Sequence, residues 1–305
     1  MPTEAALSTF RLVDRLALGT AQFGLDYGIN NTAGRPDDST VRSILDTART
    51  AGITLLDTAA AYGDSEARLG QWLGDGSDAQ SGHFQVVTKL AAGPETQVRE
   101  QLRESLARLR QTAVYGVLFH SFDAFRQQPG AWPALQAARA EGLAQRIGLS
   151  LYHPHEAEWL LDADLDADLV QVPFNAFDQR FGALLPVLQQ RGIEVHVRSA
   201  FLQGLLLRPP QALPAFFAPL APKIAELHRQ ALAAGVPVAA LLLHFAGFAP
   251  GVGRVVVGVD SAANLRANLA AASYAALAEA LRPALLDLAE STDAFILPYT
   301  WPPRS

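Results

Sequence analysis

Asp57, Tyr62, Lys89 and His120 are the four side chains whose types and spacing could move a proton. Asp57 and Tyr62 lie in Thr54-Leu-Leu-Asp57-Thr-Ala-Ala-Ala-Tyr62-Gly-Asp-Ser65-Glu66. Lys89 closes the apolar run Phe84-Gln-Val-Val-Thr-Lys89, and His120 closes Val114-Tyr-Gly-Val-Leu-Phe-His120. A phenol with a reference pKa of about 10 is a poor acid at neutral pH, but a neighbouring ammonium stabilises its phenolate and lowers that value. Lys89 would supply this charge, Asp57 would fix the ammonium, and His120 would orient a substrate oxygen. Tyr62 would then protonate a carbonyl oxygen as negative charge develops on it. That is the acid half of a hydride transfer, and the hydride itself must come from a cofactor. The plain alternative makes Asp57 and Lys89 an ion pair at strand ends and Tyr62 a packing residue; four such groups in successive strand-end positions tell against it.

Something must bring these strand ends together. Short aliphatic or β-branched runs alternate with helical patterns, the signature of βαβ units and a parallel sheet. Strands are predicted at Leu16–Gly19, Ile53–Asp57, Phe84–Lys89, Tyr115–His120, Arg146–Leu149, Leu169–Val172, Ile193–Val197 and Val255–Gly258. Helices are predicted at Asp38–Ala51, Ser65–Trp72, Pro94–Leu109, Trp132–Glu141, Pro154–Leu161, Gln179–Gln190, Pro222–Ala234 and Ala262–Ala271. Pro237–Phe248 and Ser273–Glu290 read as further helices, and Arg208–Pro222 as a loop. Eight strands with short crossovers fit a closed α/β structure, a (β/α)8 TIM barrel with additional helices near the C-terminus, whose strand carboxyl ends face one mouth. An open doubly wound sheet is the alternative. A dinucleotide fingerprint would favour it, but Gly19-Thr-Ala-Gln-Phe-Gly24 has Ala21 in place of the middle glycine.

Half of the 305 residues are apolar, enough for one barrel domain spanning 1–305. The 24 basic residues are scattered against 30 acidic ones, for a net charge of −6, which argues against a nucleic-acid partner. The absence of cysteine excludes disulfides, thiolate metal sites and cysteine nucleophiles. Met1–Leu12 lacks the basic start and apolar stretch of a secretory signal, and no run approaches the roughly 18 apolar residues of a membrane span. A cytoplasmic protein with no membrane partner is expected; its oligomeric state is not readable. His153 and His155 flank Pro154 without a third ligand at metal-binding spacing, so no metal is expected, and His196 and His244 read as packing residues.

Leu18-Gly-Thr-Ala-Gln-Phe-Gly24, the Asp57 to Tyr62 segment, Thr88-Lys89 and Leu118-Phe-His120 resemble the aldo-keto reductases, over about Leu16 to Asn268. The resemblance implies a barrel that binds a nicotinamide cofactor without a Rossmann domain, with Tyr62 as general acid, Lys89 and Asp57 tuning it, and His120 positioning the carbonyl. It also implies a cofactor set. Gly19, Thr20 and Gln22 follow the first strand, and Gln171, in Val170-Gln-Val-Pro-Phe-Asn175, resembles the glutamine at the nicotinamide amide. Ser150 sits in the matching Gly148-Leu-Ser-Leu segment, where Leu151 replaces a common asparagine and Asn175 or a backbone group would substitute for it. In His196-Val-Arg-Ser-Ala-Phe-Leu-Gln-Gly204, Arg198 takes the place of an aromatic ring that stacks on the nicotinamide. It would either stack there itself or turn away to bind an anionic substrate, with Ser199, Phe201 and Gln203 alongside. Val257 to Asn268 resembles the segment that grips the adenosine phosphates, through Gly258, Asn264 and Asn268, where a helix start offers amide donors. The family leans to NADP, whereas Asp260 would repel a 2′-phosphate and suit a 2′-hydroxyl, so NAD stands beside it. Tyr27 and Phe122 are the candidate substrate walls.

The reading is a nicotinamide-dependent oxidoreductase acting on a small aldehyde, ketone or sugar hemiacetal. Phe177-Asp178-Gln179-Arg180 and Leu205-Leu-Leu207 are most similar to bacterial members that include sugar 1-dehydrogenases and pyridoxal reductases. Two alternatives keep the barrel: a non-redox lyase or isomerase using Tyr62 and Lys89, and a cofactor-sensing protein resembling channel-associated β subunits.

Overall fold

The structure, a computed structural model, describes residues 11–31, 34–74 and 83–302; most of the Met1–Leu12 segment lies outside them. Eight strands form a closed parallel barrel in chain order: β1 (Leu16–Gly19), β2 (Leu55–Asp57), β3 (Gln85–Leu90), β4 (Val114–Phe119), β5 (Ala144–Ser150), β6 (Leu169–Pro173), β7 (Glu194–Arg198) and β8 (Arg254–Gly258). Pairing of β1 with β8 closes the ring. Strands covered on both faces read as continuous apolar runs, and β1, β2 and β6 are buried along their whole length.

The covering helices are α1 (Asp38–Ala51), α2 (Ser65–Leu73), α3 (Glu95–Leu109), α4 (Trp132–Ala140), α5 (Pro154–Asp162), α6 (Leu185–Gln190), α7 (Ala221–Ala234), α8 (Val238–Gly247), α9 (Ala262–Ala270) and α10 (Ala275–Leu286). In α1 the cause is local. Asp37 caps the first turn by accepting from the Thr40 amide at 2.7 Å, Val41, Ile44, Leu45 and Ala48 form the buried stripe, and Gly52, at φ 89°, ends the helix in the left-handed conformation. The main core lies between sheet and helices. A second, smaller one fills the barrel with Ala17, Leu55, Val87, Leu118 and Leu169. Gly148 lets β5 and β6 approach closely beside it, since a Cβ there would stand 1.6 Å from the Leu169 carbonyl oxygen.

Register gathers the strand ends. Gly19 pairs with both Asp57 and Gly258, Ser150 with Gln171, and Pro173 with Arg198. Asp57 pairs with Val87, which puts Lys89 two residues further up the same face of β3.

Three expectations need correction. The helix predicted from Gln179 begins only at Leu185, where Pro186 is tolerated because a first-turn residue needs no amide partner. The predicted loop Arg208–Pro222 contains 3-10 turns at Pro210–Ala212 and Ala215–Leu220, held down by buried Phe217 and Leu220. Ala262–Leu286 is long and apolar enough by length and composition to cross a membrane, contrary to the sequence reading; here it forms α9, a 3-10 turn at Ala271–Tyr274, and α10.

Gly148→Ala is expected to cost about 2–3 kcal/mol through overpacking between β5 and β6, measured as a lowered urea midpoint; an unchanged midpoint would show that β5 and β6 can separate freely.

Candidate active site

Lys89 and Asp57 form a buried ion pair at the barrel mouth, with side chains only 1% and 4% exposed. The Lys89 Nζ donates to Asp57 Oδ1 at 2.7 Å, to Oδ2 at 2.9 Å and to the Thr58 carbonyl at 3.0 Å, which uses all three ammonium hydrogens. From the far side of the barrel, Gln171 Nε2 donates to Asp57 Oδ2 at 2.8 Å. Burial pulls the Lys89 pKa down, while Asp57 pushes it back up.

Tyr62 sits in the turn between β2 and α2, and that turn is pinned from several directions. Its carbonyl accepts from the Ser65 amide at 3.0 Å. The Ser65 hydroxyl donates to the Thr20 carbonyl, and the Thr20 hydroxyl to the Asp57 carbonyl, each at 2.9 Å. Backbone meets backbone at two glycines: a Cβ on Gly24 would stand 1.8 Å from the Tyr62 carbonyl oxygen, and one on Gly63 2.5 Å from that of Gly24. The Tyr62 ring then has Lys89 Nζ 5.2 Å from its centroid and the His120 ring edge-on at 5.6 Å.

The electrostatics differ from the expectation that Lys89 would lower the Tyr62 pKa. Burial and the Asp57 carboxylate hold the phenol above its ordinary value, with Arg198 opposing them. The reason is the pairing itself: the charge of Lys89 is cancelled by Asp57 at 2.7 Å. His120 is pushed down to about 4, by burial first and then by the cations Lys89 and Arg198. At neutral pH the site therefore presents a protonated phenol and a neutral imidazole.

Asp57, Tyr62 and Gln171 open into a cleft enclosing about 420 Å³, which also reaches Gly258, Asp260, Asn264 and Asn268 at the start of α9. Gly19, Thr20, Gln22, Tyr27, Arg198, Ser199, Phe201 and Gln203 line it as well. Ser150 is buried at the end of β5 beside Gln171 and is not in the lining. Phe122 departs from the expected substrate wall: it is buried against Phe125 and Trp159. An apolar residue after a strand end suits a wall or a core equally, and here the aromatic cluster takes it.

Arg198 lies with its guanidinium 4.1 Å from the centre of the Tyr152 ring and donates Nη2 to the Leu151 carbonyl at 3.1 Å. Tyr152 was not anticipated. Its only sequence signal is its place two residues after Ser150, just past the end of β5. Also unanticipated is a clasp between the loops after β1 and β7. Ile29 N donates to the Gln203 carbonyl at 3.0 Å, Asn30 Nδ2 to the Gly204 carbonyl at 2.6 Å, and Arg208 Nε to Asn30 Oδ1 at 2.5 Å. Within this stretch Ser199, Leu202 and Gln203 have φ of 64°, 48° and 53°, a left-handed backbone that non-glycine residues adopt only when their surroundings impose it. At the α9 end Ser261 caps the helix, Asn264 donates its side-chain amide to Asp260, and Arg266 faces a separate groove with Arg42 of α1.

The model of the aldo/keto reductase family matches residues 15–280. The structure is similar to an aldo-keto reductase from Bacillus halodurans in its holo form, with a TM-score of 0.74 and 22% identity over 91% of this chain and 93% of that one. It is also similar to a Pseudomonas aeruginosa protein assigned as an aldo-keto reductase, with a TM-score of 0.63 and 27% identity over 86% and 90%. No curated protein matches significantly.

The lowered pKa of His120 fixes a pH dependence. Between about 6.5, the ordinary histidine value, and about 4 the unfolded chain binds the proton and the folded chain does not. This contribution to stability is complete above that window and is lost as pH falls through it. An NMR titration is expected to place the His120 midpoint near 4; a midpoint near 6.5 would show an exposed, unpressured ring.

Proposed function

Because the chain belongs to the aldo/keto reductase family, we propose that it is a nicotinamide-dependent oxidoreductase that reduces a small aldehyde or ketone, or oxidises the matching alcohol or sugar hemiacetal. The observation that carries this is the placement of Tyr62 beside the buried Lys89–Asp57 pair and the His120 ring, at the mouth of a long cleft.

The cleft suits a dinucleotide at both ends. Gln171 has spent one amide hydrogen on Asp57, which leaves its carbonyl oxygen to accept from a carboxamide, while the backbone around Ser199 and Gln203 forms the adjoining wall. At the other end, α9 begins beside Gly258 and Asn264 with first-turn amides that favour phosphate. Gly258 leaves the space that the end of the Gln22 side chain occupies, 2.4 Å from where a Cβ would stand. When bound, a nicotinamide cofactor supplies or accepts the hydride.

The chain's own residues handle the proton. Tyr62 keeps its Oη proton at neutral pH because burial and Asp57 hold the phenol protonated. It can release that proton to a carbonyl oxygen that is gaining negative charge, and Arg198 is the cation that opposes the upward pull of burial and Asp57 on the phenol. Neutral His120 can offer a ring N–H to the same oxygen and so orient it. The adenosine end supports NAD more than the NADP to which the family resemblance leans, because Asp260 lines it and Arg198 is the only arginine or lysine among the described residues that line the cleft.

Tyr62→Phe is expected to lower kcat for carbonyl reduction by about a hundredfold or more, the usual scale of a lost general acid, with cofactor binding retained. Consumption of reduced nicotinamide measures it, and full turnover in the variant would remove Tyr62 from this role.

A further inference from the structure

Arg198 ends β7 at the barrel mouth and lines the cleft together with Asp57, Tyr62 and Gln171. Its surroundings are those of an anion site without its anion. Several partly buried arginines elsewhere meet carboxylates: Arg68 with Asp38, Arg108 with Glu66, Arg139 with Asp168, Arg180 with Asp178, and Arg282 with Glu279; others are held by several carbonyl oxygens, as Arg208 is by Ile29, Asn30 and Ala212. Arg198 meets no carboxylate among the described residues. One hydrogen bond, from Nη2 to the Leu151 carbonyl, uses one of its five N–H groups, and the Tyr152 ring covers a face of the guanidinium without supplying an acceptor. The partly exposed guanidinium of Arg198 thus faces the cleft with most of its N–H groups unused by the described residues, which suits a ligand that brings acceptors and a counter-charge.

Charge balance points the same way. Asp57 and Lys89 cancel and His120 is neutral, so Arg198 leaves the proton-transfer end with one net positive charge. The field of that charge reaches Tyr62, Lys89 and His120 alike. The geometry is also ordered in advance. The guanidinium lies over the Tyr152 ring, which is itself braced edge-on by Tyr299 at 4.9 Å, and its Nη2 is tied to the Leu151 carbonyl. A planar fork held in place suits the two oxygens of a carboxylate or phosphate.

We propose that Arg198 is the specificity residue that binds an oxyanion on the substrate, so that the preferred carbonyl compound carries a carboxylate or phosphate near its carbonyl group. This inference rests on the oxidoreductase reading of the same site.

Two measurements test it. The first compares kcat/KM for succinic semialdehyde against butanal, and for glyceraldehyde 3-phosphate against glyceraldehyde, with NADH and NADPH, in the wild type, Arg198→Gln and Arg198→Lys. The wild type is expected to favour the charged member of one pair by about tenfold or more, and that pair identifies the oxyanion. Arg198→Gln is expected to reduce the charged-to-neutral ratio by about 10- to 100-fold, the range for a hydrogen bond to a charged group, with Arg198→Lys intermediate. The second titrates succinate and inorganic phosphate calorimetrically without cofactor, where binding of one anion should be lost in Arg198→Gln. No charged preference in the wild type, or equal losses on charged and neutral substrates, would overturn the proposal and leave Arg198 a strut or a cofactor wall. Arg198-dependent anion binding without turnover of any carbonyl would uphold the anion site and defeat the oxidoreductase reading. Neither turnover nor Arg198-dependent anion binding would defeat both.

Discussion

The mouth of this barrel is organised around one ammonium group that cannot reach water. Lys89 is 1% exposed, and its charge is tolerable there only because Asp57 and the Thr58 carbonyl accept all of its hydrogens. Gln171, 114 residues from Asp57 in sequence, braces the same carboxylate from β6. Asp57 is thus held from two sides of the barrel, and the register of β2 with β3 cannot slip without leaving a buried charge unpaired. Replacing such a pair with apolar residues often leaves a protein as stable or more so. Its presence at the strand ends is therefore better explained by what it does to its neighbours than by stability.

What it does is set the protonation states beside it. Because the pair is internally neutral, it does not acidify Tyr62; burial and Asp57 keep the phenol protonated. The same pairing leaves Arg198 as the uncancelled charge at this end of the cleft, and His120, between cations and short of water, stays neutral. One buried interaction thus links strand register, acid strength and the sign of the local field.

Much of this was legible in the sequence because strands covered on both faces must be apolar throughout, so a single charged or polar residue at the end of a run stands out. Asp57 and Lys89 are such residues, Gln171 was reached only through the family resemblance of its segment, and β1 has the predicted bounds, Leu16–Gly19. The direction of the Tyr62 shift was not legible, since it depends on Lys89 being matched by Asp57 at 2.7 Å rather than on lysine being nearby. Nor was the Asn30–Arg208 clasp, which joins residues 178 apart through loops without periodicity. Phe122 shows the same limit from the apolar side: its type and place fit a substrate wall, and only the positions of Phe125 and Trp159 draw it into a core cluster. Tyr152, whose ring carries the Arg198 guanidinium, follows a strand end like many residues that do nothing.

A nicotinamide nucleotide is expected to enter the cleft beside Tyr62. A fluorescence titration of the purified protein with NADH and NADPH in parallel tests this without any choice of substrate. Saturable binding of at least one is expected, with NADH binding no more weakly than NADPH because Asp260 rather than a cation lines the adenosine end. Binding of neither would contradict the account and leave a barrel whose proton-transfer residues serve chemistry other than redox.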